Sequence, residues 1–226
     1  MDLPLHEACM NNNLRKAQEA VSVSPEEPYK RDADGRVPLH WAVSFQYEEI
    51  VSFLLSRMQR VDVNELKDGS GWTPFHIACA VGNLNIVKEL YALETKPDLN
   101  LATNQGITAL HLAVSKKHTR ICEFLLNNGA SVRVKDKRSQ LPLHRAAAIG
   151  SMGMVDMLCR AGSPLNRNDN EGWTPLFHAL AEGNGDVAVL LVKHGADPDL
   201  ESADGSKAAD FAVNDQVKQY FLRNIA

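Results

Sequence analysis

One short pattern, written seven times, constrains this chain more than anything else in it. Its fullest copy is Gly71-Trp72-Thr73-Pro74-Phe75-His76-Ile77-Ala78. Thr73 offers a hydroxyl to cap a helix, and Pro74 stands at a first helical position, where no N–H donor is needed. Phe75 and Ala78 point inward, Ala78 being small enough to let another helix close against it. His76 is placed to hydrogen-bond the backbone of a neighbouring turn. Related copies are Pro4-Leu5-His6-Glu7-Ala8, Pro38-Leu39-His40-Trp41-Ala42, Ala109-Leu110-His111-Leu112-Ala113, Pro142-Leu143-His144-Arg145-Ala146 and Pro175-Leu176-Phe177-His178-Ala179. A last, degraded copy is Ala208-Ala209-Asp210-Phe211-Ala212. The marker position falls at residues 4, 38, 74, 109, 142, 175 and 208, so successive copies lie 34, 36, 35, 33, 33 and 33 apart.

A period near 33 with this helix-start signature is that of the ankyrin repeat, a helix-turn-helix with a projecting β-hairpin-like loop. The expected fold class is therefore all-α, an ankyrin-repeat solenoid of seven repeats. It forms one domain over residues 1–226, with repeats at about 1–33, 34–69, 70–104, 105–137, 138–170, 171–203 and 204–226. Each repeat packs only on its neighbours, so chain length sets no domain count. The first repeat reads as a cap: a helix over Leu3–Met10, then a polar second helix from Leu14 to Val21, ended by Pro25 and Pro28. Repeat two carries the apolar stripe Glu49 to Leu55, and its extra residues are expected in the connection Arg57-Met58-Gln59-Arg60-Val61. Asn128-Gly129-Ala130 and His194-Gly195-Ala196 are ordinary helix endings, with Gly as the left-handed residue. Val213–Leu222 reads as a closing cap.

Composition excludes several classes. A net charge of −4 gives no general attraction to nucleic acid or anionic membrane. No apolar run is long enough to cross a bilayer, and no basic-then-apolar leader opens the chain. The four cysteines have no metal-ligand spacing and are expected as reduced core residues of an intracellular protein. No HExxH, GxSxG, GxxxxGK[ST] or strand-linked GxGxxG occurs. His6, His40, His76, His111 and His144 are one structural position repeated, so their bland role is turn hydrogen bonding. His178 stands one position out of that register and is expected to face the groove. No enzymatic activity, cofactor or metal is expected.

What remains is a binding wall, made by first helices and hairpin tips. Positions four and two before the marker, and three and seven after it, select the residues. They include Asp34, Arg36, Trp41 and Phe45; then Ser70, Trp72, Ile77 and Val81; then Ile107, Leu112 and Lys116. Gln105, Arg138, Gln140, Arg145, Ile149, Glu171, Trp173, His178 and Glu182 complete the set. All three tryptophans fall on it, and large aromatics on a solvated wall serve as anchors for a protein partner. Arg36, Lys116, Arg138 and Arg145 form a basic run, while Glu171, Glu182 and Asp204 make the C-terminal end acidic. The expectation is a bipolar protein-docking surface.

Seven such repeats, with the Gly35–Ala42, Gly71–Ala78 and His144–Ala148 segments, make the chain similar to the gankyrin family, and most to its fungal members. The resemblance covers the whole sequence. It implies a proteasome assembly chaperone that binds the C-terminal domain of a proteasomal AAA-ATPase subunit of the 19S base and delays docking on the 20S core. It also implies a protein of cytoplasm and nucleus, monomeric on its own, with Arg36 and Lys116 meeting acidic partner residues. Asp34 and Glu182 would meet basic ones, and Trp41 and Phe45 would make apolar contacts. The retinoblastoma-binding Leu-x-Cys-x-Glu segment of the animal protein reads His178-Ala179-Leu180-Ala181-Glu182 here, lacking the Leu and the Cys, so that activity is not implied. The competing reading is an ankyrin adaptor or an inhibitor of a cyclin-dependent kinase.

Overall fold

The computed structural model describes residues 3–58, 61–202 and 204–226. Among them the regular structure is thirteen α-helices and two 3-10 turns, with no strand. The chain divides into two compact units, Met1–Gln105 and Gly106–Ala226.

The first unit holds three helix pairs: α1 (Pro4–Met10) with α2 (Leu14–Val23), α3 (Pro38–Ser44) with α4 (Glu48–Arg57), and α5 (Pro74–Val81) with α6 (Leu84–Tyr91). A 3-10 turn over Glu27–Tyr29 follows α2. Helix starts follow local chemistry. The Asn13 and Asn83 side chains accept the N–H of Lys16 and Ile86, and Thr73 accepts that of His76. Leu5, Leu39, Ile50, Leu54, Phe75, Ile86 and Leu90 are buried, each contributing about 1.5–3 kcal/mol of apolar transfer. Of the connection expected to hold the extra residues of repeat two, Gln59 and Arg60 lie outside the described residues.

The second unit repeats the scheme with α7 (Ala109–Ser115) and α8 (Thr119–Asn127), α9 (Pro142–Ala148) and α10 (Met152–Arg160), and α11 (Pro175–Ala181) and α12 (Gly185–Lys193). Its core includes Leu110, Ile121, Leu125, Leu143, Phe177 and Phe221. The last, degraded copy makes only a 3-10 turn over Ala208–Phe211 before α13 (Asp215–Ile225). Asp210 stands where five other copies have His, and its carboxylate accepts the N–H of Lys207 at 3.1 Å. The N–H of Val213 then donates to Leu180 O at 3.1 Å, drawing the chain out of helical register.

The residue eight after the marker turns each first helix into its second with a left-handed backbone: Asn12, Gln46, Gly82, Lys117, Gly150 and Gly183. The geometry is therefore set by the fold, and three repeats pay its conformational cost with a side chain present. Cys9, Cys79 and Cys122 are buried in the core, while Cys159 is only half-buried.

Candidate functional site

The repeated histidines join one repeat to the next. In α3 the Nδ1 of His40 accepts the N–H of Val37 (3.1 Å), and its Nε2 donates to Trp72 O (3.2 Å). His76 donates to Leu101 O, His111 to Gln140 O and His144 to Arg167 O, at 2.9, 3.1 and 2.9 Å. Burial is the main cause that lowers the His40 and His76 pKa values, and it takes His111 and His144 down to about 4. These rings are structural, neutral and inaccessible to a ligand. Among the described residues no group of three or more His, Cys, Asp or Glu side chains could hold a metal ion.

Four hairpin tips are closed by a carboxylate six residues before the marker, while Thr103 and Ser202 stand at that place in two others. One oxygen of Asp32 accepts the N–H groups of Asp34 and Arg36, and one of Asp68 those of Ser70 and Trp72. Asp136 does the same for Arg138 and Gln140, and Asp169 for Glu171 and Trp173. Such a side chain reproduces the hydrogen bonding of a backbone turn. The second oxygen of each is then aimed at a wall side chain. Sequence reasoning passed over these four aspartates. Their signal was present, however, as Asp-x-x-Gly or Asp-x-x-Ser at a constant offset from the marker.

In the first unit, Asp32 Oδ2 accepts the indole N–H of Trp41 at 2.7 Å. The Arg36 guanidinium lies 4.9 Å over the Trp41 ring and donates from Nε to Asp68 Oδ2 at 3.2 Å. Trp41 stacks on Phe45, and Phe45 on Tyr47, with centroids 6.3 and 5.7 Å apart. Phe45, in the middle of this row, is 46% exposed. Asp34 is exposed at its tip, and Trp72 is half-buried with its ring tilted against His76. Ile77, expected on the wall, is buried at 5% exposure.

In the second unit, Arg138, Arg145, Glu171, Trp173, His178 and Glu182 line one depression of about 480 Å³. His178 donates from Nε2 to Asp169 Oδ2 (2.8 Å), which also accepts from Gln140 Nε2 (3.0 Å). Burial opposes ionisation of Asp169, but these donors and the Trp173 and Glu171 amides outweigh it and hold its carboxyl below the usual range. Arg145 donates to Asp136 Oδ2 at 2.7 Å and to Ser115 Oγ at 3.1 Å. Trp173 meets His178 and Phe211 edge-on, centroids 5.3 and 5.1 Å away. Ile107 is half-buried and Lys116 exposed, and Leu112 is buried at 6% exposure. Ile77 and Leu112 share the helical position of Trp41, Arg145 and His178, but as aliphatic side chains they turn into the core.

The charges of the second unit are interleaved, which corrects the expected separation into a basic run and an acidic end. Arg138 NH2 meets Glu171 Oε1 at 3.0 Å, because residues 33 apart occupy the same place on successive tips. Arg145 likewise stands over Asp136. The arrangement presents fixed donors, exposed carboxylates and aromatic edges, and can recognise a charged protein surface by hydrogen bonding and stacking.

The family described as ankyrin repeats (3 copies) matches residues 2–65, 57–136 and 121–202. The probable 26S proteasome regulatory subunit p28 of Saccharomyces cerevisiae is 58% identical over 224 residues, covering 98% of both chains. The ankyrin repeat protein nuc-2 of Neurospora crassa is 30% identical over 198 residues, 87% of this chain and 18% of its own. Among solved structures, the ankyrin-repeat domain of Bcl-3, of the IkappaB protein family, aligns with a TM-score of 0.80 at 27% identity over 98% of both chains. Similarity to nuc-2 covers 18% of that protein, whereas the p28 subunit matches in length and in more than half of its residues. The chain is thus an ankyrin-repeat protein and belongs, within that class, to the gankyrin family.

Proposed function

We propose that this protein is a non-enzymatic proteasome assembly chaperone. It holds the C-terminal domain of an AAA-ATPase subunit of the 19S base on its wall residues, and so delays docking of the base on the 20S core. The observation that carries this reading is the 58% identity, over 98% of both chains, to a protein described as a 26S proteasome regulatory subunit. The side chains support it physically. Trp41, Phe45 and Trp173 supply rigid apolar area at little cost in side-chain entropy, and Arg36, Arg145 and His178 are already ordered by carboxylates before any partner arrives. The exposed Asp34, Lys116 and Glu182 supply long-range charge that raises the on-rate and fixes orientation. The work is done in cytoplasm and nucleus by a monomer without a cofactor. None of the described helices is long and apolar enough to cross a membrane.

The test is a tagged pull-down from cell extract, read by mass spectrometry and repeated with Trp41→Ala plus Lys116→Glu. Recovery of 19S base ATPase subunits without the 20S core, lost in the variant, is the expected result. Recovery of a kinase instead, or capture unchanged in the variant, would reduce the function to general ankyrin-type binding.

A further inference from the structure

We propose that Asp32, Asp136 and Asp169 are positioning residues that set the recognition geometry of the wall. The inference rests on the wall being the partner-binding surface. Each of these carboxylates does two jobs with two oxygens. Oδ1 accepts the backbone N–H groups two and four residues on, closing the hairpin tip. Oδ2 accepts from the side chain nine residues on, in the following first helix: Trp41 Nε1 at 2.7 Å, Arg145 NH2 at 2.7 Å and His178 Nε2 at 2.8 Å. A tip, a helix and a recognition side chain are thereby tied through one buried or half-buried group.

The arrangement fixes rotamers that solvent would otherwise leave free. Arg145 is held at NH2 by Asp136 and at NH1 by Ser115, and its Nε is buried without a hydrogen-bond partner. Ordering a long side chain on binding costs affinity, and one ordered beforehand does not incur that cost again. Where the helical position is aliphatic, as at Ile77, no such lock forms. The second oxygen of Asp68 turns instead to Arg36, in the preceding repeat. So the device appears where a polar or aromatic recognition side chain needs holding.

Aspartate to asparagine separates the two jobs. The amide oxygen still accepts both turn N–H groups, but the amide NH2 then faces an obligate donor on Trp41 or Arg145. In full-length protein, ¹⁵N relaxation should show the Arg145 Nε–H order parameter falling from about 0.85 to below about 0.6 in Asp136→Asn. The Trp41 Nε1–H should do the same in Asp32→Asn, while the amides of residues 34–36 and 138–140 stay as rigid as before. Should one variant not fold, the others carry the measurement at their own tips. Unchanged side-chain order, or tip amides that loosen equally, would overturn the proposal.

A second arm uses the purified C-terminal domains of the base ATPases. Asp136→Asn should weaken binding about tenfold, the loss expected for one charge-assisted hydrogen bond. It should weaken it no further on an Arg145→Ala background, whereas additive losses would mean that Asp136 does not act through Arg145. If the wild-type chain binds none of these domains, the proposed function fails, and the relaxation measurement still decides the positioning role.

Discussion

His111 Nε2 lies 3.1 Å from the carbonyl oxygen of Gln140, while its Nδ1 accepts the N–H of Thr108 at 3.3 Å. One nitrogen must carry the proton and the other must not, so the ring does its work only when neutral. His144 repeats the relationship with Arg167 O and Leu141 N–H. A protonated ring would lose its acceptor and carry a charge into a buried seam.

This makes the fold acid-sensitive in a defined window. Burial holds His111 and His144 at about 4, against an unfolded value near 6.5. Above about pH 6.5 their contribution is complete. As the pH falls from there towards 4, the unfolded chain takes up protons that the folded chain refuses, and stability declines. By pH 5 each of the two should cost about 2 kcal/mol. Urea unfolding at pH 7.5 and pH 5 should show a clear drop in midpoint, shallower in His111→Gln. A midpoint flat over this range would mean that these rings are protonated in the fold.

The tip of repeat three depends on Gly71. Its φ is +80°, and a Cβ there would stand 2.7 Å from the backbone nitrogen of Asn104, in the same unit. Gly71→Ala combines left-handed strain with a clash that backbone cannot relieve, and should cost roughly 3 kcal/mol. Gly129 offers the control: its φ is +92° and a Cβ would meet nothing within 4 Å. Gly129→Ala should cost only about 1–2 kcal/mol, the conformational part. Equal midpoints for the two variants in chemical denaturation would remove the steric argument.

How much of this was legible in the sequence depends on the range of each interaction. The marker Pro, the capping Thr73 and the repeated His act within a few residues, so their spacing gave the helix starts directly. Trp41, Arg145 and His178 were readable as wall residues because helical register places them. The same register misplaced Ile77 and Leu112, since it assigns a position and not the preference of an aliphatic side chain for the core. The Arg138–Glu171 pair escaped because it joins residues 33 apart, and sorting charges along the chain hides contacts between stacked tips. The four tip aspartates looked like ordinary polar turn residues. Only the second oxygen of each, seen against its partner, shows otherwise.

Thiol reactivity should follow burial. Desolvation pushes Cys9 and Cys122 up to about 12, and Cys159, half-buried and near Asp156, to about 11. The nucleophile is the thiolate, so native protein at pH 8 should react slowly with a disulfide reagent, Cys159 first. Peptide mapping after partial labelling checks the order. Labelling of Cys9 or Cys122 ahead of Cys159 would show that the core of its repeat opens more readily than its packing implies.

Arg138 and Glu171 separate binding from stability. Their side chains are 65% and 55% exposed, and an ion pair so placed contributes about 0–1 kcal/mol to folding because water and salt screen it. Arg138→Ala should therefore leave the thermal midpoint nearly unchanged. Exposure on the rim of the depression is also where a partner's charges arrive first, so removing Arg138 unbalances the field that Glu171 and Glu182 present. The association rate with an ATPase C-terminal domain should shift severalfold at low salt, with the difference shrinking at high salt. Reversing the pair, as Arg138→Glu with Glu171→Arg, should likewise leave the thermal midpoint nearly unchanged but should not restore the rate. If the reversed pair bound as the native one does, orientation would not be read at these tips, and recognition would rest on the aromatic and locked side chains beneath them.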